Sequence, residues 1–544
     1  MDMSPTQDLK SSDLQSPAMN FGRQKASARL GLKLVLLLLL LQFCSRYLPS
    51  PWAVLVADDW SNLARSSSIY PSHLDAVRGG LQDTPRPLSM IAVNLGYQIF
   101  GDQSAYWTLV SLVANSLLLL AILKMALELT GRRLIAGLAG VIFALLPNLT
   151  ETYHWSTQVL NEVSCGLVPY ALSGWLWVAY LRRGGGWRLA LSALAYGAGL
   201  FSYEAGILLP AAYLVLLPWK KAPLKSMLRI APIGLVGIVY LAWRGTNAFG
   251  LNPAVHYPPH MQVGLSLLGA VMNGWQLAHW WIGDHVLGSM LNGFEAFAAI
   301  PLWTRRFLFA ANVGVVLLIG WGLRRLVAAD RKENGGHPFS GKQVALFALA
   351  WTGAAMAVSL VSYAAARLNV LPGIGISLLV ALALGRVPVR IWALLLFVPA
   401  VLAMVSNQGT AENYRQAGRL CRGLYATLQA SQDQWRDKEI LLVDTRSLRQ
   451  RQTPGLAPYN EDQRMWAQHG NAVLIRGFVP MGMVRLITGQ KQPNVQVLLD
   501  VEYGAQVEGD RLIWHDRYNS SRPHTNAMAD VFVVDCLAAG QAGR

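Results

Sequence analysis

Two adjacent carboxylates, Asp58 and Asp59, stand in "VLVADDWSNL" (54–63), just past the first long apolar run of the chain. Other ionisable residues recur in the same kind of place, at the ends of apolar blocks. Arg86 lies in "TPRPLS" (84–89), Glu151 and His154 in "LLPNLTETYHWSTQ" (145–158), Glu204 in "LFSYEAG" (200–206) and Arg367 in "YAAARLNVLPG" (363–373). A carboxylate next to a hydroxyl can take its proton, which contributes about 10²–10⁴-fold to a transfer reaction. A guanidinium offers a planar fork that matches a phosphate. One acid plus arginine suffices for an inverting displacement, whereas a second carboxylate acting as nucleophile would give double displacement. Neighbouring residues direct their side chains differently. Asp58 and Asp59 are therefore expected to divide the work, one as base and the other orienting it or binding acceptor or metal.

The elements that would have to position these groups are membrane helices. Of 544 residues, 53% are hydrophobic and only 14% charged, against about a quarter charged in soluble domains; mean hydropathy is +0.32. The expected fold class is an α-helical polytopic membrane protein with a small C-terminal extracytoplasmic α/β domain. Predicted spans are 31–48, 105–129, 134–148, 165–181, 188–202, 203–218, 228–244, 308–325, 344–363, 369–385 and 390–406, about 11 TM helices; a pair of spans within 263–307 would make thirteen. Basic loops ("TGRR", "LRRGGGWR", "PWKKAPLKSMLR", "LRRLVAADRKENGGHPFSGK", "GRVPVR") set the orientation, because short cytoplasmic loops retain Lys and Arg. The polar tail 1–30 is then cytoplasmic and disordered. The first outer loop runs 49–104, a large outer segment spans 245–307, and 408–544 lies outside. In 263–307, Trp275, Trp280 and Trp281 suit an interfacial helix. The tail combines a helix in "AENYRQAGRLCRGLYATLQASQDQW" with strands in "EILLVD", "VQVLLDV", "RLIWHD" and "VFVVDC".

The net charge of +16 follows from these retained loops. No basic run alternates with stacking aromatics and no nucleic-acid motif occurs, so no nucleic acid is expected as a partner. The four cysteines, Cys44, Cys165, Cys421 and Cys536, have no metal-ligand spacing. A Cys421–Cys536 disulfide and two separate thiols are both compatible with an outer location. "RRGGGWR" lacks the strand-loop-helix context of a phosphate cradle.

Independent loop assignments thus place Asp58, Asp59, Arg86, Glu151, His154, Glu204 and Arg367 in one layer at the outer face, with His256, His260, His279 and His285 in the large outer segment. A lipid-linked sugar phosphate stays at that level, since each buried CH₂ of its tail contributes about 0.8 kcal/mol to anchoring. An enzyme using it must work where the head group sits.

In this layer the chain resembles the GT-C superfamily of integral-membrane glycosyltransferases, especially protein O-mannosyltransferases and their bacterial relatives. Five stretches carry the resemblance in the same order across about 50–385: "ADDW", "RPLSMIAVNLGYQIFGD", "IFALLPNLTETYHW", "YEAGILLP" and "RLNVLPGIGISLL". The resemblance implies Asp58 as catalytic base with Asp59 beside it. It implies Glu151 and Trp155, with His154 near them, at the sugar-acceptor pocket, Arg86 and Arg367 facing donor phosphate, and Glu204 supporting the site from beneath. It also implies a bacterial inner-membrane enzyme taking a sugar from a polyprenyl-phosphate donor to a lipid, glycan or protein acceptor, with membrane lipid around it. Two positions depart from the pattern. Tyr203 replaces a lysine and Ala366 an acid, and an α/β tail replaces TPR repeats, so mannose and a protein acceptor are not carried over. No cofactor is required, and a divalent cation at the acid pair is left open. The competing readings are an O-antigen ligase or polymerase using a lipid-linked oligosaccharide, which would depend less on the acid pair, and a transporter. The transporter ranks last because transport sites sit near the midplane.

Overall fold

The computed structural model describes residues 55–56, 58–82, 86–146, 151–219, 222–248, 268–272, 302–329, 338–361, 369–445, 478–515 and 523–536, with the isolated positions 40, 274 and 538. The tail 1–30, nearly all of the expected span 31–48, most of 245–307 with its histidines and tryptophans, and Arg367 lie outside the described residues.

Among the described residues the chain is helical up to Ala430, and the strands all follow Ile440. Four helices are long and apolar enough to cross a membrane: Ser104–Thr130, Ser156–Arg183, Pro223–Arg244 and Gly341–Leu360. Helices Arg133–Leu145, Gly186–Leu200, Leu302–Ala329 and Val370–Leu384 fall where further spans were expected. Segment 203–218 differs from its expectation. It is a 3₁₀ turn, Glu204–Gly206, followed by the seven-residue helix Leu209–Val215. At 1.5 Å per residue that helix rises about 10 Å, a third of a hydrocarbon core of about 30 Å. Pro210 suits the start of this helix: proline lacks an N–H, which costs nothing in a first helical turn, where it stands here. The stretch after Ser156 is also irregular. Nine residues, Val159–Leu167, are wound as π-helix before Pro169 starts the regular helix Val168–Arg183.

The bundle core joins residues of these helices, among them Leu118, Phe143, Tyr170, Trp177, Tyr213, Trp351 and Ile374. Small residues permit close approach where helices cross, as is usual for membrane helices. A Cβ on Gly375 would lie 2.5 Å from the Ala348 carbonyl oxygen. At the expected inner end, buried Glu128 pairs with Arg182 (2.6 Å) and with Arg183.

The expected loop 49–104 is structured. It holds helix Asp58–Ala64, a π-turn Arg65–Ile69, and helices His73–Gln82 and Pro87–Phe100. The last is capped by Pro87 in its first turn and closed by Gly101 at φ 54°. These helices share a core with the chain's C-terminal part. Leu55, Trp60, Val93, Tyr97 and Trp107 cluster with Cys421, Leu424, Trp435, Val443, Val479, Met483 and Cys536; Cys421 and Cys536 are buried, unbridged thiols.

The connection between the two parts is one continuous helix, Val389–Ala430, of 42 residues. Its length of about 63 Å is twice the hydrocarbon thickness, so it absorbs both the expected span 390–406 and the polar helix predicted after it. Beyond it, strands β1 (Ile440–Asp444), β2 (Gln496–Leu499) and β6 (Val531–Asp535) form a parallel sheet in the order β2-β1-β6. Three shorter strands, β3 (Gln506–Glu508), β4 (Arg511–Trp514) and β5 (His524–Ala527), form an antiparallel sheet. β3 and β5 were not expected from sequence, because "QVE" and "HTNA" carry no apolar alternation.

Helix Phe478–Thr488 packs directly on the acid-pair helix. A Cβ added at Gly482 would come within 2.8 Å of the Trp60 carbonyl carbon and oxygen and of the Ser61 amide nitrogen. Those atoms are backbone, so neither side chain can swing aside. Gly482→Val is therefore expected to destabilise the protein by about 1–3 kcal/mol and to lower its unfolding temperature in detergent, read by intrinsic tryptophan fluorescence. Gly101→Ala, with nothing within 4 Å of the added Cβ, reports the cost of positive φ alone.

Candidate functional site

Asp58 and Asp59 open the helix Asp58–Ala64, where the helix dipole favours negative charge. Asp59 is fully buried and clamped by three segments. Its Oδ2 accepts from the Val56 amide (3.0 Å) and its Oδ1 from the Thr157 amide (2.9 Å). The Tyr97 and Thr157 hydroxyls also donate to Oδ1. Tyr97 and Thr157 lie 3.0 Å apart, and the Asn62 amide reaches the Thr157 hydroxyl at 3.4 Å. Both oxygens of Asp59 are thus engaged in joining the acid-pair helix, helix Pro87–Phe100 and the start of the span at Ser156. Burial pushes the Asp59 carboxyl up to about 7, although the bonds from Thr157, Tyr97 and Val56 pull the other way. The side chain of Asp58 lies outside the described residues.

Trp60, next in sequence, donates through Nε1 to the Leu55 carbonyl (3.2 Å) and stacks on Tyr425 of the long helix at 5.1 Å between ring centroids. The acid-pair helix is thereby wedged between the bundle and the C-terminal part.

A second cluster forms at the other end of helix Pro87–Phe100. Arg86 holds Glu204 in a bidentate pair, Nε to Oε2 at 2.8 Å and Nη2 to Oε1 at 2.9 Å. Its guanidinium lies 4.9 Å from the centroid of the Tyr203 ring. The 3₁₀ turn after helix Gly186–Leu200 presents Glu204 to it, and a backbone bond from Leu88 N–H to the Phe201 carbonyl (3.2 Å) joins the two elements. On its other side Glu204 meets Arg244, Nη2 to Oε1 at 3.9 Å. One carboxylate thus lies within ion-pair distance of two guanidiniums. Arg244 was not anticipated. The signal that would have found it is the one that drew attention to Arg367, an arginine beside an apolar run where the sequence leads one to expect the outer face, against the usual charge bias.

The structure therefore brings Asp59 together with the Thr157 segment, and Arg86 with Glu204. The two clusters sit at opposite ends of one helix. Arg86 and Tyr97 are eleven residues apart, about 16 Å along the axis. His154 and Trp155 are buried in the segment leading to Thr157, and the Ser111 hydroxyl anchors that segment by donating to the Tyr153 carbonyl at 2.9 Å. Glu151 opens its short helix, Glu151–His154, with its side chain outside the described residues. Among the described residues no group of three or more His, Cys, Asp or Glu is placed to hold a metal ion.

No protein-family model matches the chain, and no curated protein matches it. Among solved structures, ArnT from Cupriavidus metallidurans bound to undecaprenyl phosphate is similar at 14% identity, covering 87% of this chain and 90% of that one, with a TM-score of 0.30. A likeness at this level describes a loose correspondence of shape and carries no functional information.

The raised carboxyl of Asp59 makes stability depend on pH. The folded state keeps its proton up to about 7, whereas the unfolded chain releases it near 3.8. The stabilisation it contributes is complete below about 4, falls as pH rises toward 7, and is gone above that. Thermal unfolding followed from pH 5 to 8.5 is expected to show this decline, and Asp59→Asn is expected to flatten it while lowering stability overall by leaving the Val56 and Thr157 amides poorly matched.

Proposed function

We propose that the protein is a polyprenyl-phosphate-dependent membrane glycosyltransferase that works at the outer face of the membrane. The observation that carries this reading is the clamp on Asp59. A fully buried acid with every oxygen hydrogen-bonded is suited to holding a neighbour in position, and its neighbour on the same first helical turn is another acid. Asp58 is then the general base that takes the proton from the acceptor hydroxyl as that oxygen attacks the anomeric carbon. Asp59 orients it.

The departing lipid phosphate needs cations where negative charge develops. Arg86 and Arg244, which meet at Glu204 near the ends of helices Pro87–Phe100 and Pro223–Ala248, are the guanidiniums offered to it. Glu204 orients both. Arg367, which the resemblance implies at the phosphate, would add a third. Glu151, His154 and Trp155 belong to the segment that also carries Thr157, which fits them to the sugar-acceptor side. The donor head group would bridge the distance between the clusters, phosphate toward the arginines and sugar toward the acids. With Asp59 held by its donors, Asp58 is the single base in this reading, so transfer proceeds with inversion in a single displacement, and the acceptor is a hydroxyl on a lipid, glycan or protein. In this reading the part beyond Ala430, whose helix Phe478–Thr488 packs on the acid-pair helix, meets the acceptor on the extracytoplasmic side.

The test is sugar transfer in membranes supplied with radiolabelled polyprenyl-phosphate sugars. Asp58→Asn is expected to lower kcat by at least about 100-fold at unchanged protein level. Arg244→Gln is expected to raise KM for the donor by about 10-fold or more and leave acceptor KM alone. Full activity of Asp58→Asn would overturn the assignment and favour an O-antigen ligase-type reaction.

A further inference from the structure

Beside the Asp59 clamp the structure leaves a buried polar group without a use. Gln158 follows Thr157 at the entry to the π-wound stretch and is only 4% exposed. Its Oε1 has no hydrogen-bond partner among the described residues. One turn further, the Oδ1 of Asn161 is buried and likewise has none among them. A buried amide oxygen without a donor is costly, and native proteins leave few of them. Retention of two such acceptors within four residues points to donors that arrive with a ligand. Asn161 lies in the π-helix Val159–Leu167 and Gln158 immediately precedes it; this winding frequently marks functional sites, and it begins two residues after Thr157, which grips Asp59.

We infer that Gln158 and Asn161 form a sugar-recognition subsite whose amide oxygens accept hydrogen bonds from hydroxyls of the transferred sugar. The inference rests on the proposed transferase reading and adds to it the groups that select the sugar. Sugar hydroxyls are the fitting chemistry because they donate, carry no charge and are the feature by which hexoses and pentoses differ. A buried neutral acceptor reads a hydroxyl's presence and rejects an analogue lacking it, since its own oxygen is then left unpaired. The arginine cluster cannot make that distinction, because the phosphate is common to every such donor.

A merely structural amide and a substrate contact respond in opposite ways to an isosteric apolar replacement. Gln158→Met removes the orphaned oxygen at nearly constant volume. Unfolding temperature without donor should hold or rise, while transfer from the preferred member of a panel of farnesyl-phosphate glucose, mannose, galactose and arabinose should fall by about 10-fold or more in kcat/KM. The variant should also lose discrimination between that sugar and its deoxy analogue, which the wild type retains. Asn161→Leu should act in the same direction. A Gln158→Met protein with wild-type kinetics and sugar preference overturns the inference, as does one destabilised without donor but with unchanged kinetics for the folded fraction. The parent reading fails separately. If the wild type turns over none of the panel, or if Asp58→Asn remains active, the transferase assignment falls with it; if only Gln158→Met is silent, the transferase assignment stands and the subsite alone is lost.

Discussion

The packing around the acid-pair helix depends on a carboxylate taken out of water. Placing an ionised Asp59 in a fully buried position carries a cost of several kcal/mol unless donors surround it. Here the donors come from residues 56, 97 and 157, on segments far apart in the chain. Each of those donors is satisfied only if the acid-pair helix, the Pro87–Phe100 helix and the segment before the Val168–Arg183 helix hold their relative positions. The same group that is expensive to bury therefore fixes the geometry at the rim, and the raised proton affinity of Asp59 is the residue of that cost.

From this clamp the remaining arrangement follows. Helix Pro87–Phe100, held at its end by Tyr97, carries Arg86 at its beginning and so sets the distance between acids and cations. Glu204 reaches Arg86 from the 3₁₀ turn Glu204–Gly206, which precedes the helix Leu209–Val215. The part of the chain after Ala430 completes the enclosure. Trp60 stacks on Tyr425, and Gly482 admits the Phe478–Thr488 helix to within contact of the acid-pair backbone. The C-terminal sheet is joined to the same core as Leu55 and Tyr97 rather than tethered beside it.

The two clusters are also electrostatically unlike. In one, the Glu204 carboxylate lies within ion-pair distance of two guanidiniums. In the other, a buried carboxylate is held by neutral donors only. Under the proposed function the reacting bond of a lipid-linked donor falls between them.

Much of this was legible in the residues themselves. Long apolar runs must become helices in a membrane, because only there are backbone polar groups satisfied internally, and helices stand at most of the expected positions. The strands at 440–444, 496–499, 511–514 and 531–535 likewise follow from short apolar runs rich in β-branched residues. The acid pair, Arg86 and Glu204 were visible as charges out of place beside apolar blocks. What tertiary structure alone decided is which charges meet. Nothing local in "ADDW" says that Asp59 is buried and gripped; that depends on Tyr97 and Thr157, dozens of residues away. Nothing in "LAWRG" says that Arg244 shares the carboxylate of Glu204, and nothing in "MGM" says that Gly482 lies against Trp60. Periodicity and hydropathy act along the chain, whereas hydrogen bonds and ion pairs are settled by which segments come within 3 Å of one another, and only packing determines that.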